Sequence, residues 1–408
     1  MGSTARIAWR NIWRNRRRTL LTGSAIGLGF ALIIFFLGLV DGMMDRVFAS
    51  ATDSMVGHAQ IQALEYRETR DVELYVPEVQ DVLTVVDAAD GITAAAPRVI
   101  GTGVLSIGDR SQLSQLLGVV PEREQKVTNW QDKIATGRYI EADGEVMIGH
   151  DLAKKLDVEL GTKLVLSVAH IATGEPMYLP ANVVGIFKTG NPMLDKGGGI
   201  LTFSSLQEAM GLGNGAHQIA MRTNVDPKNS SALDATLTPL RESVGAKVEL
   251  ADWRLLSPQT ASALEIQDVA MGIVTFIIFI ILAFGIINTV SMSLIERTRE
   301  FGVLAAVGTT PSRLAALILT ETAYIGLVGL TIGAALGLGI TFWFMSTGMD
   351  MGTVSAHGAV ISDLLYPRIN PVSVINAGLL LLFLTVVVAG FTAFRAARLK
   401  PVEALRYE

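Results

Sequence analysis

Four long apolar stretches constrain the fold of this chain more than any other feature. The first is an unbroken run of uncharged residues at 19–40. A helix of about 22 residues is about 33 Å long, enough to cross the hydrocarbon core of a bilayer. The others run over residues 269–295, 314–344 and 371–394. Charged residues make up 17% of the chain, whereas about 25% is usual in soluble domains. The sequence therefore predicts an α-helical membrane protein with four transmembrane helices.

Basic residues flank the apolar stretches at both ends of the chain and predict its orientation. They are Arg6, Arg10, Arg14, Arg16, Arg17, Arg18, Arg395, Arg398 and Lys400. The positive-inside rule then places both termini in the cytoplasm, as expected of a multi-pass protein of the bacterial inner membrane. The apolar run at 19–40 is longer than the core of about 7–15 residues in a signal peptide, which favours an uncleaved anchor over a cleaved signal.

Aromatic residues at the start of the chain have helical spacing. Trp9, Ile12 and Trp13 recur at i, i+3 and i+4, with arginines between them. This pattern is typical of a helix lying on the membrane surface, and Trp9, Trp13 and Arg14 are its candidate interfacial anchors. A basic flank that only orients the first span is the alternative, and the two interpretations are compatible.

The insert between the first and second spans mixes helical and strand patterns. Residues 77–91 predict an amphipathic helix with Val79, Val82, Val85 and Val86 on one face, and residues 145–168 read as strand, helix and strand. Because long loops cross the membrane regardless of charge, we expect a large extracytoplasmic α+β domain. A turn-rich hairpin at 170–180 is either a contact loop or an ordinary connection. Its candidate contact residues are Glu175, Pro176, Met177, Tyr178 and Pro180.

Motifs for chemistry on the chain itself are missing from the sequence. It has no cysteine, no G-x-x-x-x-G-K-[ST] phosphate loop, no H-E-x-x-H pair and no G-x-S-x-G elbow. Basic residues cluster only beside apolar stretches, which argues against nucleic acid as a partner. We therefore expect no catalytic residue, no metal site and no cofactor on this chain.

The third stretch contains one acid and several glycines. An acid inside a span is costly and often functional, so Glu321 has either a mechanistic role or a partner that fixes helix packing. Glycines at small-xxx-small spacing indicate close helix contact, either inside one chain or between two copies. They are Gly326, Gly329, Gly333, Gly337 and Gly339.

A charged segment joins the second and third stretches. We expect the second helix to continue to Val307, to end at Gly308, and a new helix to begin after Thr310 at Pro311. The segment carries charged residues and apolar residues at helical spacing, and an exposed apolar patch with a charged rim marks a partner site. A helix lying on the lipid surface is the alternative, which the acids Glu296 and Glu300 disfavour because the inner leaflet is negative. The candidate contact residues are Glu296, Arg299, Glu300, Phe301, Leu304, Val307 and Gly308.

Three segments carry a resemblance to a known family. "NTVSMSLIERTREFGVLAAVGTTPSRLAALILTETAYIGLVGLTIGAALGLGI" at 288–340, "IAWRNIWRNRRRTLLT" at 7–22 and "AGFTAFRAARLKPVEALRYE" at 389–408 resemble MacB/FtsX-like ABC transporter permeases. The approach "DWRLLSPQTASALEIQD" at 252–268 is most similar to the lipoprotein-releasing, LolC/LolE-like branch. One span, a large domain and then three spans also match that family from end to end.

The resemblance implies a function. Such permeases pair with a second copy or a paralogue and bind a cytoplasmic ABC ATPase dimer, which holds the ATP and Mg²⁺. ATP hydrolysis there moves the external domains, a mechanism called mechanotransmission. The 296–307 segment would be the coupling helix, with Glu300 and Phe301 central, and the hairpin would contact a periplasmic lipoprotein carrier. The predicted segments are a cytoplasmic amphipathic helix (1–18), transmembrane helix 1 (19–44), the periplasmic α+β domain (45–267), transmembrane helix 2 (268–295), the coupling helix (296–313), transmembrane helix 3 (314–346), a periplasmic loop (347–370), transmembrane helix 4 (371–394) and a cytoplasmic tail (395–408).

Other functions remain open at this point. An FtsX-like regulator that activates an extracytoplasmic hydrolase has the same spans, but such members usually carry a smaller external domain. Efflux of a peptide or drug uses the same mechanism with another cargo. A receptor or scaffold would not need the charged segment between the second and third spans.

Overall fold

The computed structural model describes residues 2–14, 16–245, 247–350, 354–356, 359–361 and 364–397. Arg398, Lys400 and most of the terminal motif at 389–408 lie outside these residues. The chain forms two compact units, which are described separately. The first comprises Met1–Asp45, Glu265–Met351 and Leu364–Glu408, and the second comprises Arg46–Leu264 and Gly352–Asp363.

Helices make up most of the first unit and surround the sheet of the second. In chain order they are α1 (Gly2–Arg14), α2 (Arg16–Ala51), α3 (Tyr66–Thr69), α4 (Val79–Asp87), α5 (Pro121–Val127), α6 (His150–Leu156), α7 (Pro192–Gly197), α8 (Phe203–Met210), α9 (Ser230–Ser243), α10 (Trp253–Leu256), α11 (Pro258–Glu296), α12 (Thr298–Ala306), α13 (Pro311–Thr347) and α14 (Pro371–Ala397). A π-helical turn, Thr52–Val56, follows α2, and a 3₁₀ turn, Trp130–Lys133, follows α5.

Strands occupy the second unit. They are β1 (Ala59–Ala63), β2 (Ile92–Ile107), β3 (Arg110–Val119), β4 (Ile134–Gly137), β5 (Glu145–Gly149), β6 (Lys163–Ala169), β7 (Pro176–Phe187), β8 (Gly198–Thr202), β9 (Gln218–Thr223), β10 (Val248–Asp252), β11 (Val354–Ala356) and β12 (Ala359–Ile361). The first ten form one mixed sheet in the order β10-β1-β9-β2-β3-β8-β5-β7-β4, with β6 paired to β2 and β7. The last two form a separate hairpin.

Among the described residues, four helices are long and apolar enough to cross a membrane. The qualifying segments are Thr19–Ala49, Pro258–Asn288, Pro311–Thr347 and Pro371–Phe391. Each contains or overlaps one of the four apolar stretches of the sequence. Four candidate spans and a mixed α and β unit confirm the coarse expectation. The ten-stranded sheet lies between α2 and α11 in chain order, whereas β11 and β12 of the same unit lie between α13 and α14.

Glycine faces let α13 pack closely inside its own chain. A Cβ added at Gly333 would lie 2.5 Å from the carbonyl oxygen of Gly27 in α2, and one at Gly337 would lie 2.9 Å from the Cα of Ala31. Gly329 faces α2 in the same way, and Gly326 faces α14. The small-xxx-small pattern therefore serves internal packing at these positions. Gly339 differs, because a Cβ there would have no neighbour within 4 Å.

The N-terminal helix α1 packs on the first unit through its aliphatic side. Ile12 is fully buried in the core of the helices, whereas Trp9 and Trp13 are partly exposed. The Trp9 ring meets the edge of Tyr324 in α13 at 5.5 Å between centroids. The hydroxyl of Thr19 donates to the carbonyl oxygen of Ile12, which fixes the connection between α1 and α2.

The long strand β2 joins two halves of the sheet in the second unit. Its first half pairs with β9, and its second half pairs with β3 and β6. The core under the first half takes Val79, Leu83 and Val86 from α4. Val85, which the sequence pattern placed on that buried face, is exposed instead, because at about 100° per residue its side chain lies about 120° around the helix from that of Val79.

Candidate coupling site

The segment between α11 and α13 contains a helix break and a hinge. The chain leaves α11 at Glu296, turns at Arg297, and forms the separate helix α12. Gly308 then has a φ of +98°, and the amide of Thr309 donates to the carbonyl oxygen of Leu304 at 3.0 Å. The predicted helix end at Gly308 and the start of a new helix at Pro311 are confirmed. The prediction of one helix as far as Val307 was wrong, because the helix is interrupted at Arg297.

An ion pair explains the break at Arg297. Its Nη1 donates to both carboxylate oxygens of Glu321 at 2.8 Å, and its Nε donates to Oε2 of Glu300 at 2.9 Å. The side chains of Arg297 and Glu321 are only 12% and 7% exposed. A buried charge is costly without a partner, so this pairing holds the turn of the backbone in place. Glu321, whose role the sequence left open, is therefore a paired acid that joins α13 to the turn.

Glu300 extends this ion pair into a chain of four charges. Its Oε1 accepts from Nη2 of Arg14 at 2.9 Å, so α1 contacts α12. The hydrogen bond from Arg297 is the main reason that the pKa of Glu300 lies below its ordinary value, and the positive charges of Arg297 and Arg14 lower it further. Because Arg14 and Glu300 are largely exposed, their contact contributes little to stability, at most about 1 kcal/mol.

Apolar side chains on and after α12 face outward. Val307 is 82% exposed, and Val303 and Leu304 are exposed as well. Three predicted contact residues are located only by their helix: Glu296 ends α11, and Arg299 and Phe301 lie in α12. The segment thus combines a fixed charged base with exposed apolar residues, which is the pattern of a docking surface for another protein.

The hairpin at 170–180 has a short turn between paired strands. Its turn is His170–Glu175, closed by hydrogen bonds between His170 and Glu175 and between Gly174 and His170. Of the predicted contact residues, only Glu175 lies in this turn, and Pro176, Met177, Tyr178 and Pro180 belong to β7. Their strand pairs with β6 from Pro176 onward, so the tip is short. Met177 and Tyr178 are exposed on the strand.

A polar cluster that no sequence pattern indicated lies where the chain leaves α2. Arg98 in β2 binds Glu124 in α5 and also donates to the carbonyl oxygen of Met55, in the π-helical turn. Arg222 in β9 contacts Asp53 of the same turn. The partners stand far apart in sequence, and arginine and glutamate are common in surface helices. No local pattern therefore marks this cluster.

Two family models match this chain, one over its N-terminal half and one over its C-terminal region. The model for the MacB-like periplasmic core domain matches residues 19–240, more than half of the chain, and the model for the FtsX-like permease C-terminal region matches residues 272–401. The chain belongs to the MacB/FtsX-like ABC transporter permeases. The second match includes the whole charged segment between α11 and α13, which makes that segment part of the family's permease region.

Relatives of this permease align over nearly its whole length. The lipoprotein-releasing system transmembrane protein LolC of Neisseria meningitidis is 25% identical over 96% of this chain and 94% of its own. The macrolide export ATP-binding/permease protein MacB of Agrobacterium fabrum is 25% identical over 99% of this chain and 60% of its own. Among solved structures, the periplasmic region of MacB from Actinobacillus actinomycetemcomitans is 15% identical, with a TM-score of 0.37, covering 50% of this chain and 92% of that one.

Proposed function

We propose that this permease works by mechanotransmission, with a cytoplasmic ABC ATPase dimer docked on α12. The observation that carries the proposal is the α12 segment itself. Its apolar residues are exposed, and its base is held to α13 by the Arg297–Glu321 pair. A partner that displaces α12 therefore also acts on α13, because the Arg297–Glu321 pair joins the start of α12 to that helix.

The proposed location is the bacterial inner membrane, with both termini and α12 in the cytoplasm. Arg6, Arg10 and Arg14 in α1 and the arginines at the start of α2 supply the positive charge that the cytoplasmic side favours. Trp9 and Trp13 remain partly exposed on α1, as suits anchors at the level of the lipid headgroups.

ATP and Mg²⁺ belong to the partner in this proposal. The sequence has no phosphate-binding loop. The MacB relative is named for both ATP binding and a permease, and the family models that match this chain are a periplasmic core domain and a permease region. We infer that a separate ATPase hydrolyses the nucleotide, and that this chain supplies the membrane and external parts.

The proposed cargo is a lipoprotein, or another amphiphile, extracted from the outer leaflet of the inner membrane. Support comes from the LolC relative, a lipoprotein-releasing protein that aligns over 94% of its length. A second permease copy or a paralogue would complete the transporter. A periplasmic carrier would then contact the exposed Met177 and Tyr178 beside the short hairpin tip.

Substitution of exposed apolar residues tests the docking surface. Leu304→Asp and Val307→Asp each place a charge in the interface, which we expect to lower capture of the ATPase at least tenfold, a cost of about 1.4 kcal/mol or more. Ser312→Asp is the matched control, because Ser312 is exposed nearby and an acid suits the first turn of a helix. Capture is measured by pull-down of the partner from detergent extracts, with membrane levels of each variant checked. Equal capture by all three variants would contradict the assignment of α12.

A further inference from the structure

Contacts from several parts of the second unit hold the π-helical turn after α2. Gly57 closes it by donating to Thr52, and the amide of Asn129 donates to the carbonyl oxygen of Asp53 at 2.9 Å. Arg222 contacts the Asp53 carboxylate at 3.2 Å. Gly57 itself has a φ of +69°, and a Cβ there would lie 2.8 Å from the carbonyl oxygen of Met221. The chain therefore leaves α2 through a segment packed tightly against β9.

The buried pair Arg98–Glu124 lies at the centre of these contacts. The two side chains are 2% and 0% exposed. Nε of Arg98 donates to Oε2 of Glu124 at 3.0 Å, and Nη2 donates to Oε1 at 2.6 Å. The remaining nitrogen, Nη1, donates to the Met55 carbonyl oxygen. A single guanidinium thus joins β2, α5 and the turn that follows α2.

A buried ion pair is weak support for stability alone, because well-packed apolar residues often replace it without loss. The Arg98–Glu124 pair differs from a simple ion pair because the guanidinium also binds a backbone carbonyl. Two donors are fixed by a carboxylate, so the third points in one direction and holds the Met55 carbonyl there. Thr128 further orients Glu124 by donating to its Oε1 at 2.7 Å.

We propose that Arg98 and Glu124 are positioning residues that transmit displacement of α2 to the external domain. The inference rests on the proposed mechanotransmission and deepens it by naming where motion enters the domain. A pull along α2 reaches Met55, then Arg98, and from there both β2 and α5. Without the pair, the turn keeps its contacts to Asn129 and β9 but loses its side-chain link to β2 and α5, so we expect α12 to respond to nucleotide while α5 does not.

A neighbouring pair on α5 provides a matched control. Arg123 makes two hydrogen bonds to Asp87 at 3.1 and 2.9 Å and one to the carbonyl oxygen of Ala95 at 3.2 Å. It has the same kind of contacts as Arg98, but its carbonyl partner lies within β2 and not in the turn after α2. The two double variants are Arg98→Met with Glu124→Met, and Arg123→Met with Asp87→Met.

Hydrogen exchange in the full-length permease, alone and in complex with its ATPase, tests the tether. Loss of a charge-assisted bond worth about 1.5–3 kcal/mol predicts amide exchange about tenfold faster or more at residues 52–57 in the Arg98/Glu124 variant. The Arg123/Asp87 variant should exchange there as the wild type does. On addition of an ATP analogue to the complex, wild type and control should change exchange at 298–314 and at 121–127, in α5. The Arg98/Glu124 variant should retain only the first response, at an unchanged melting temperature.

The outcomes separate this inference from the proposed function. A wild type that responds at 298–314, together with an Arg98/Glu124 variant that keeps the response at 121–127, overturns the tether and leaves the docking of the ATPase intact. A wild type that responds at 298–314 but not at 121–127 also overturns the tether. A wild type with no response at 298–314 overturns the proposed function, and the tether falls with it.

Discussion

At the scale of residues, the Arg297–Glu321 pair determines the local backbone. At Arg297, where the helix is interrupted, the guanidinium makes two hydrogen bonds of 2.8 Å to the nearly buried carboxylate of Glu321. Removing one partner leaves the other charged and poorly hydrated, which costs about 3–5 kcal/mol in buried pairs, whereas replacing both with apolar residues is often close to neutral. The pair is therefore open to a double-substitution test.

We expect Arg297→Met to destabilise the permease by about 3–5 kcal/mol, and Glu321→Leu by less, because Arg297 keeps its hydrogen bond to Glu300. The double variant should recover most of that loss, because no lone charge remains. Thermal unfolding in detergent measures all three proteins against the wild type. The control is Arg14→Met, which removes an exposed contact to Glu300 and should shift stability by at most about 1 kcal/mol. Losses that simply add in the double variant would contradict the pairing.

At the scale of elements, sequence patterns predict what is encoded locally. The hinge before α13 was predictable, because a glycine and a Thr-Pro step act on their own backbone. The break at Arg297 was not, since its cause is an acid 24 positions further along the chain. The pairing of β2 with β9 also lay beyond local patterns, because it joins residues more than 100 positions apart, such as Ala96 and Ala220.

Glycine spacing in α13 predicted close packing without saying against which helix. The structure assigns Gly333 to α2, where an added Cβ would stand 2.5 Å from a backbone oxygen, and leaves Gly339 without neighbours. We expect Gly333→Ala to destabilise the helices by about 1–3 kcal/mol, because a backbone atom cannot move aside as a side chain does. Gly339→Ala should be neutral or gain up to about 1 kcal/mol from helix propensity. Unfolding in detergent compares the two variants, and equal effects would argue against the α2–α13 contact.

At the scale of the whole molecule, mechanotransmission requires the docking segment and the external unit to lie on opposite sides of the membrane. Spans α2 and α11 flank the α+β unit in the chain, and α12 follows directly after α11. If the chain crosses the membrane once between the sheet and α12, the two lie on opposite sides of it. If it does not cross, α12 lies on the same side as the sheet and a cytoplasmic ATPase cannot reach it. The mechanism therefore depends on α11 being a full crossing.

Labelling of single cysteines decides this topology, because the natural chain has none. Thr173→Cys lies in the exposed turn of the external hairpin, and Ser312→Cys lies beside α12. In intact spheroplasts, a membrane-impermeant maleimide should label Thr173→Cys fully and Ser312→Cys only after lysis. The control is lysis itself, which must make both variants reactive. Labelling of Ser312→Cys in intact spheroplasts would place α12 outside, where no cytoplasmic ATPase reaches it, and the proposed function would then be wrong.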